Sequence, residues 1–152
     1  MLQTDFKDHN IENFTPKEIT DTGADLKDVQ LNTMLSLQAF RTYIRRRIGL
    51  IYNGMTTGNH KAPGHPNGHA VDCFLYSEDG EVNIHNIFKG ALNAGFKAIG
   101  IYYNQKQFSF HLEIGSNSRK DFAFWMGIKD AEKNINSWEW FSLLQDPTKI
   151  VL

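Results

Sequence analysis

Apolar residues recur along this chain with two different periods, and those periods lay out its elements. Leu31, Met34, Leu35, Leu37, Phe40 and Ile44 are spaced as one broad face of a helix. Asp25 or Asp28 can cap its start, and it is expected to end by Arg47. Ile48 to Tyr52 is a short β-compatible run closed by the turn pair Asn53-Gly54. From Met55 to Gly68 no apolar period survives among Gly, Thr, Pro and His, and a long irregular loop inside a domain is more often functional than accidental. His69 to Tyr76 reads as a strand. Val82 to Ala94 reads as a helix with Val82, Ile84, Ile87, Phe88, Ala91 and Leu92 inward, closed by Gly95. Ala98 to Tyr103 and Gln107 to Ile114, joined at Asn104-Gln105-Lys106, read as a hairpin. A helix is expected over Lys120 to Lys133 and a shorter aromatic one over Trp138 to Leu144. Residues 1–24 read as a polar arm in which Phe14 docks. This order predicts an α+β fold, a small antiparallel sheet with a site on one face and helices on the other.

At 152 residues the chain is expected to be one domain over 1–152, with an N-terminal arm (1–24) and a C-terminal helical extension (129–152). Sixteen basic against seventeen acidic residues leave a net charge of -1, so no global field recruits nucleic acid or a membrane surface. The Arg45-Arg46-Arg47 run falls at a helix end, where cations complement the macrodipole. One cysteine, Cys73, excludes an intrachain disulfide and fits a reducing compartment of synthesis. The N-terminal residues lack the basic and apolar segments of a secretion signal, and no stretch is long enough to span a bilayer. The expected partner list therefore holds neither nucleic acid nor membrane, and the expected state is a monomer made in the cytoplasm.

The candidate chemistry lies in Gly64-His65-Pro66-Asn67-Gly68-His69-Ala70-Val71-Asp72 and in Phe108-Ser109-Phe110-His111-Leu112-Glu113. Strand alternation puts Asp72 on one face while Val71, Cys73 and Leu75 point to the other. The same rule puts Ser109, His111 and Glu113 opposite Phe108, Phe110, Leu112 and Ile114. Two neighbouring strands can thus aim Asp72 and His111 into one cleft, and His65 can fold back over it from the turn. Two His and one carboxylate suit zinc with a fourth position left for water, whereas structural zinc more often recruits cysteines. His69 can replace His65 as ligand, although its strand parity is opposite to that of Asp72. His85 has no comparable context.

His65-Pro-Asn-Gly68-His-Ala70-Val-Asp72 resembles the His-x-x-Gly-x-Ala-x-Asp signature of the zinc D-alanyl-D-alanine carboxypeptidase and L-alanyl-D-glutamate endopeptidase family, which cuts peptidoglycan stem peptides. The similarity runs from about residue 13 to 128, through Asn13 to Glu18, Ile48 to Gly54, Ala94 to Tyr102, Arg119 and Trp125. It implies zinc held by His65, Asp72 and His111, and a hydrolase of the small phage or endolysin type. Where the family has a Ser, a substrate arginine and a general base, this chain has Pro63, the Asn53-Gly54-Met55-Thr56 segment, and Phe108 and Ser109. Glu113, on the cleft face with His111, is then the candidate catalytic base, or a residue that orients a ligand His. His60 and Arg119 are expected to meet the substrate. The expected function is a zinc peptidase acting on the cell wall after release or as part of a virion. A catalytically silent zinc-containing virion component is the alternative, and a metal-independent cytoplasmic protein a third reading.

Overall fold

A capping box starts the helix over Pro16–Asp21. Thr15 accepts from the Glu18 N–H while Glu18 reaches back to the Thr15 N–H, and Pro16 supplies a preset first helical residue. The structure is a computed structural model that describes residues 5–55, 64–103, 107–115, 122–128 and 139–141. Its elements are α1 (Asp5–Asp8), α2 (Pro16–Asp21), α3 (Leu31–Ile44), β1 (Ile48–Leu50), β2 (Ala70–Leu75), α4 (Ile84–Asn93), β3 (Ala98–Tyr103), β4 (Phe108–Glu113), β5 (Ala123–Ile128) and β6 (Glu139–Phe141). No helix among the described residues is long and apolar enough to cross a membrane.

The α+β class is as expected, in a six-stranded sheet ordered β1-β2-β4-β3-β5-β6. Every pairing is antiparallel except β3 with β5, which is parallel, so the sheet is mixed rather than purely antiparallel. One face buries Val71, Cys73, Leu75, Ile99, Ile101, Phe110, Leu112 and Met126 in a common core with Met34, Leu37 and Phe40 of α3 and Ile87 and Ala91 of α4. Phe40 sits at its centre, edge-on to both Phe96 and Phe110 with ring centroids 6.3 Å apart in each case.

Four expectations are corrected. The helix expected over Lys120 to Lys133 is strand β5 at Ala123–Ile128, and the one over Trp138 to Leu144 contains β6 at Glu139–Phe141. Phe124 and Met126 turn toward the core while Trp125 faces the other way, a strand's alternation rather than a helix's stripe. The N-terminal arm does bury Phe14, but it also forms α1 and α2 and adds Phe6, Ile11 and Ile19 to the core. Finally, neither Asp25 nor Asp28 caps α3. Asp25 caps a single 3-10 turn at Leu26–Asp28, and Gln30 precedes α3 without a side-chain cap.

The start of α3 is instead tethered from far along the chain. The carbonyl of Gly68 accepts from the Gln30 N–H at 3.3 Å and from the Thr33 hydroxyl at 2.7 Å. Gly68 has φ +71, and a Cβ there would stand 2.1 Å from the Asp28 carbonyl oxygen, so only glycine fits. At the other end of α3, Arg46 donates to the carbonyls of Gly80 and Glu81, and Arg47 pairs with Glu78 and Asp79. These arginines clamp the turn after β2, a tertiary role beyond the macrodipole.

Candidate metal centre

The site face of the sheet is organised as a row. Asp72 on β2 is in register with His111 on β4, His111 with Gly100 on β3, and Gly100 with Trp125 on β5. Flanking it is a row of Ala70, Glu113, Ala98 and Ala123, and on the other side one of Phe74, Ser109, Tyr102 and Gly127. Strand parity and register alone therefore bring Asp72 beside His111.

His65 arrives from the turn. That turn is closed by the Gly68 N–H donating to the His65 carbonyl and the His69 N–H to the Gly64 carbonyl, each at 2.9 Å, and it is docked on α3 through Gly68. His65 is 2 % exposed, and its Nδ1 lies 3.0 Å from the Met55 carbonyl oxygen. A carbonyl only accepts, so Nδ1–H is the donor, and the neutral ring presents the Nε2 lone pair to the cleft. Nε2 stands 3.0 Å from His111 Nδ1 and 3.3 Å from Asp72 Oδ1, and those two atoms are themselves 3.0 Å apart.

Three atoms that each offer a lone pair have thus been brought to mutual contact, which makes His65, Asp72 and His111 a group that could hold a metal ion. Ligand atoms about 2.0–2.1 Å from a tetrahedral zinc stand about 3.3 Å from one another, close to the observed separations. His65 and His111 are buried, whereas the Asp72 side chain is 28 % exposed, so the centre opens to solvent beside the carboxylate.

Burial works against ionising Asp72, but the hydrogen bond from His111 and the neighbouring His65 ring outweigh it and hold the carboxyl down at about 2. For His111, burial disfavours the cation, yet Asp72 on one side and Glu113 on the other raise its pKa. Cys73, next to Asp72 but on the core face, has its thiol pushed up by burial and belongs to the core, as strand parity requires.

Glu113 is 1 % exposed and puts Oε2 3.7 Å from His111 Nε2, the nitrogen that faces away from His65 and Asp72. It packs beneath Gly64, where a Cβ would meet its carboxyl at 2.8 Å. His69 lies outside the cluster, and His85 is exposed on the first turn of α4. His60, Pro63 and Arg119 lie outside the described residues.

The Met55 carbonyl and the wall that Gly100, Tyr102 and Trp125 form beside the ligands are not marked by any motif in the sequence. Alternation within Ala98–Tyr103, with Ile99 and Ile101 buried on the core face, was a signal that Gly100 and Tyr102 share the site face. Compared with models of protein families, with curated proteins and with solved structures, the chain matches none.

Proposed function

We propose that this chain is a zinc metallopeptidase that hydrolyses peptidoglycan stem peptides. The observation that carries the proposal is the convergence of His65 Nε2, Asp72 Oδ1 and His111 Nδ1 within 3.3 Å, beside an opening to solvent. The residues fit a resident zinc ion in donor type and spacing. Zinc bound there would supply Lewis acidity, polarising a scissile carbonyl and bringing the pKa of water toward neutral. The peptidoglycan substrate rests on the resemblance of His65-x-x-Gly68-x-Ala70-x-Asp72 to the signature of peptidases of that class.

Within this reading the chain's own groups divide the work. Met55 fixes the His65 tautomer, and Asp72 brings the charge that favours a cation. Of the two roles open to Glu113, general base or positioning residue, its placement favours the second: its carboxylate lies by the Nε2 edge of His111, where it orients the ring and leaves Nδ1 for the ion. A peptide bond is then to be cut without a side-chain carboxylate base from Glu113. That placement is also the observation that favours the second reading, a virion component that holds zinc without turnover.

The test is to incubate zinc-loaded protein with purified peptidoglycan and read released fragments by mass spectrometry. Fragments with new peptide termini are expected, lost with a chelator and with His111→Ala, and restored to the unmutated protein by zinc. Zinc retained with no fragment released would give the case to the silent component.

A further inference from the structure

Beside the metal-ligand cluster stands an aromatic pair with polar tips that no ligand role accounts for. A Cβ at Gly100 would meet the Trp125 ring at 2.5 Å, so the absent side chain is the space in which the indole lies. From there the indole reaches His111, with ring centroids 5.5 Å apart, and its Nε1–H donates to the Tyr102 hydroxyl at 2.9 Å. Tyr102 is two residues beyond Gly100 on the same strand face, so this hydrogen bond draws the phenol back toward the row that holds His111 and Asp72. Indole N–H and phenol O–H groups withdrawn from water usually find a hydrogen-bond partner. Here each polar tip meets the other on the cleft side of the sheet.

We propose that Tyr102 is a further substrate-contacting residue of this site, donating its phenolic hydrogen to the oxygen of the attacked acyl group as negative charge develops there, with Trp125 as its positioning residue. The inference rests on the hydrolase reading of the metal centre. A hydroxyl that accepts a hydrogen bond from an indole is polarised into a better donor. A phenol with the ordinary pKa of about 10 is protonated at neutral pH, as a donor must be, and burial raises the Tyr102 pKa further. Donors held in place before charge develops act most strongly in such partly dry clefts.

The experiment uses cobalt-loaded protein and acetohydroxamate, a small metal-binding acyl probe, with affinity read from the visible cobalt spectrum. Tyr102→Phe is expected to weaken acetohydroxamate about tenfold, the scale of one hydrogen bond to a charged group, with cobalt content unchanged. Trp125→Phe is expected to weaken it in the same direction. In the metal-free protein, Tyr102→Phe should also shift the Trp125 indole N–H resonance, assigned by its absence from Trp125→Phe. On peptidoglycan, Tyr102→Phe should lower kcat by about two orders of magnitude with KM little changed. Equal acetohydroxamate affinity in Tyr102→Phe and the unmutated protein overturns the proposal even if peptidoglycan is cut. Weakened affinity in a protein that cuts no peptidoglycan supports the Tyr102 contact and overturns the peptidase reading alone. A protein that takes up no cobalt overturns both.

Discussion

At the scale of single residues, His111 is the pivot, because one ring nitrogen faces the donor cluster and the other faces Glu113. Without metal, a proton on Nδ1 is what allows His65, Asp72 and His111 to stay in contact, and this sets the sign of the pH dependence. The folded pKa of His111 is raised, so its contribution is complete below the unfolded value of about 6.5 and is lost as pH rises through the folded value. Asp72 is lowered to about 2, so its contribution is present above the unfolded value of about 3.9 and is lost as pH falls toward the folded one. Thermal melts of chelated protein should therefore lose Tm as pH climbs above about 6.5, and Asp72→Asn should flatten that slope. Zinc affinity should rise over the same interval, because the ligand nitrogen must shed its proton. A metal-free Tm that instead rises from pH 6.5 to 8 would mean that the Asp72 contact does not favour the His111 cation. Glu113→Gln tests the other edge of the ring. As a positioning residue it should lower zinc affinity about 10–100-fold while leaving turnover at saturating zinc within about tenfold. A loss of two orders of magnitude or more with zinc intact would restore Glu113 as general base.

At the scale of elements, the strands that carry ligands were legible in the sequence and the strand that carries the aromatic wall was not. In β2 and β4 one face is apolar and the other bears Asp72, His111 and Glu113, so parity alone separated ligands from core and placed Cys73 correctly. In Phe122-Ala-Phe-Trp-Met-Gly-Ile both faces are apolar or aromatic, since one meets the core and the other flanks the metal centre. Alternation is erased there, and a short apolar run reads as helix or strand alike. The α3 start was hidden for a different reason, because its partner, the Gly68 carbonyl, is remote in sequence. Gly100 is where the two strands of this wall depend on each other. Gly100→Ala should destabilise by about 1–3 kcal/mol, the usual cost of forcing an extra methyl into a packed contact. Its zinc content should persist, because the ligands sit on β2, β4 and the His65 turn. Urea melts and metal analysis read both, and unchanged stability would show that the indole does not lie over Gly100.

At the scale of the whole molecule, the metal centre and the helical layer meet at the His65 turn, chiefly through the Gly68 carbonyl, with a longer bond from Gln30 Nε2 to the Asn67 carbonyl beside it. Gly68 closes the His65 turn and also receives the Gln30 N–H and the Thr33 hydroxyl of α3, so ordering the turn and starting the helix are parts of one event. A ligand that binds only the folded chain stabilises it by mass action, about 2.7 kcal/mol at one hundred times its dissociation constant. That increment reports how well the turn is ordered before zinc arrives. Thr33→Val keeps the side-chain shape but removes the buried donor, and it should cost about 1–3 kcal/mol of metal-free stability. By loosening the turn it should also reduce the zinc increment at fixed free zinc. Cys73→Ser is the control, since it places a hydroxyl on the fully buried face opposite Asp72, away from the turn. It should cost about 1–3 kcal/mol as well, with the zinc increment intact. Calorimetric melts of both variants with and without zinc separate the two effects. If Thr33→Val and Cys73→Ser shift the increment equally, the helix and the metal turn are coupled only through global stability. If only Thr33→Val shifts it, the link runs through the Gly68 carbonyl.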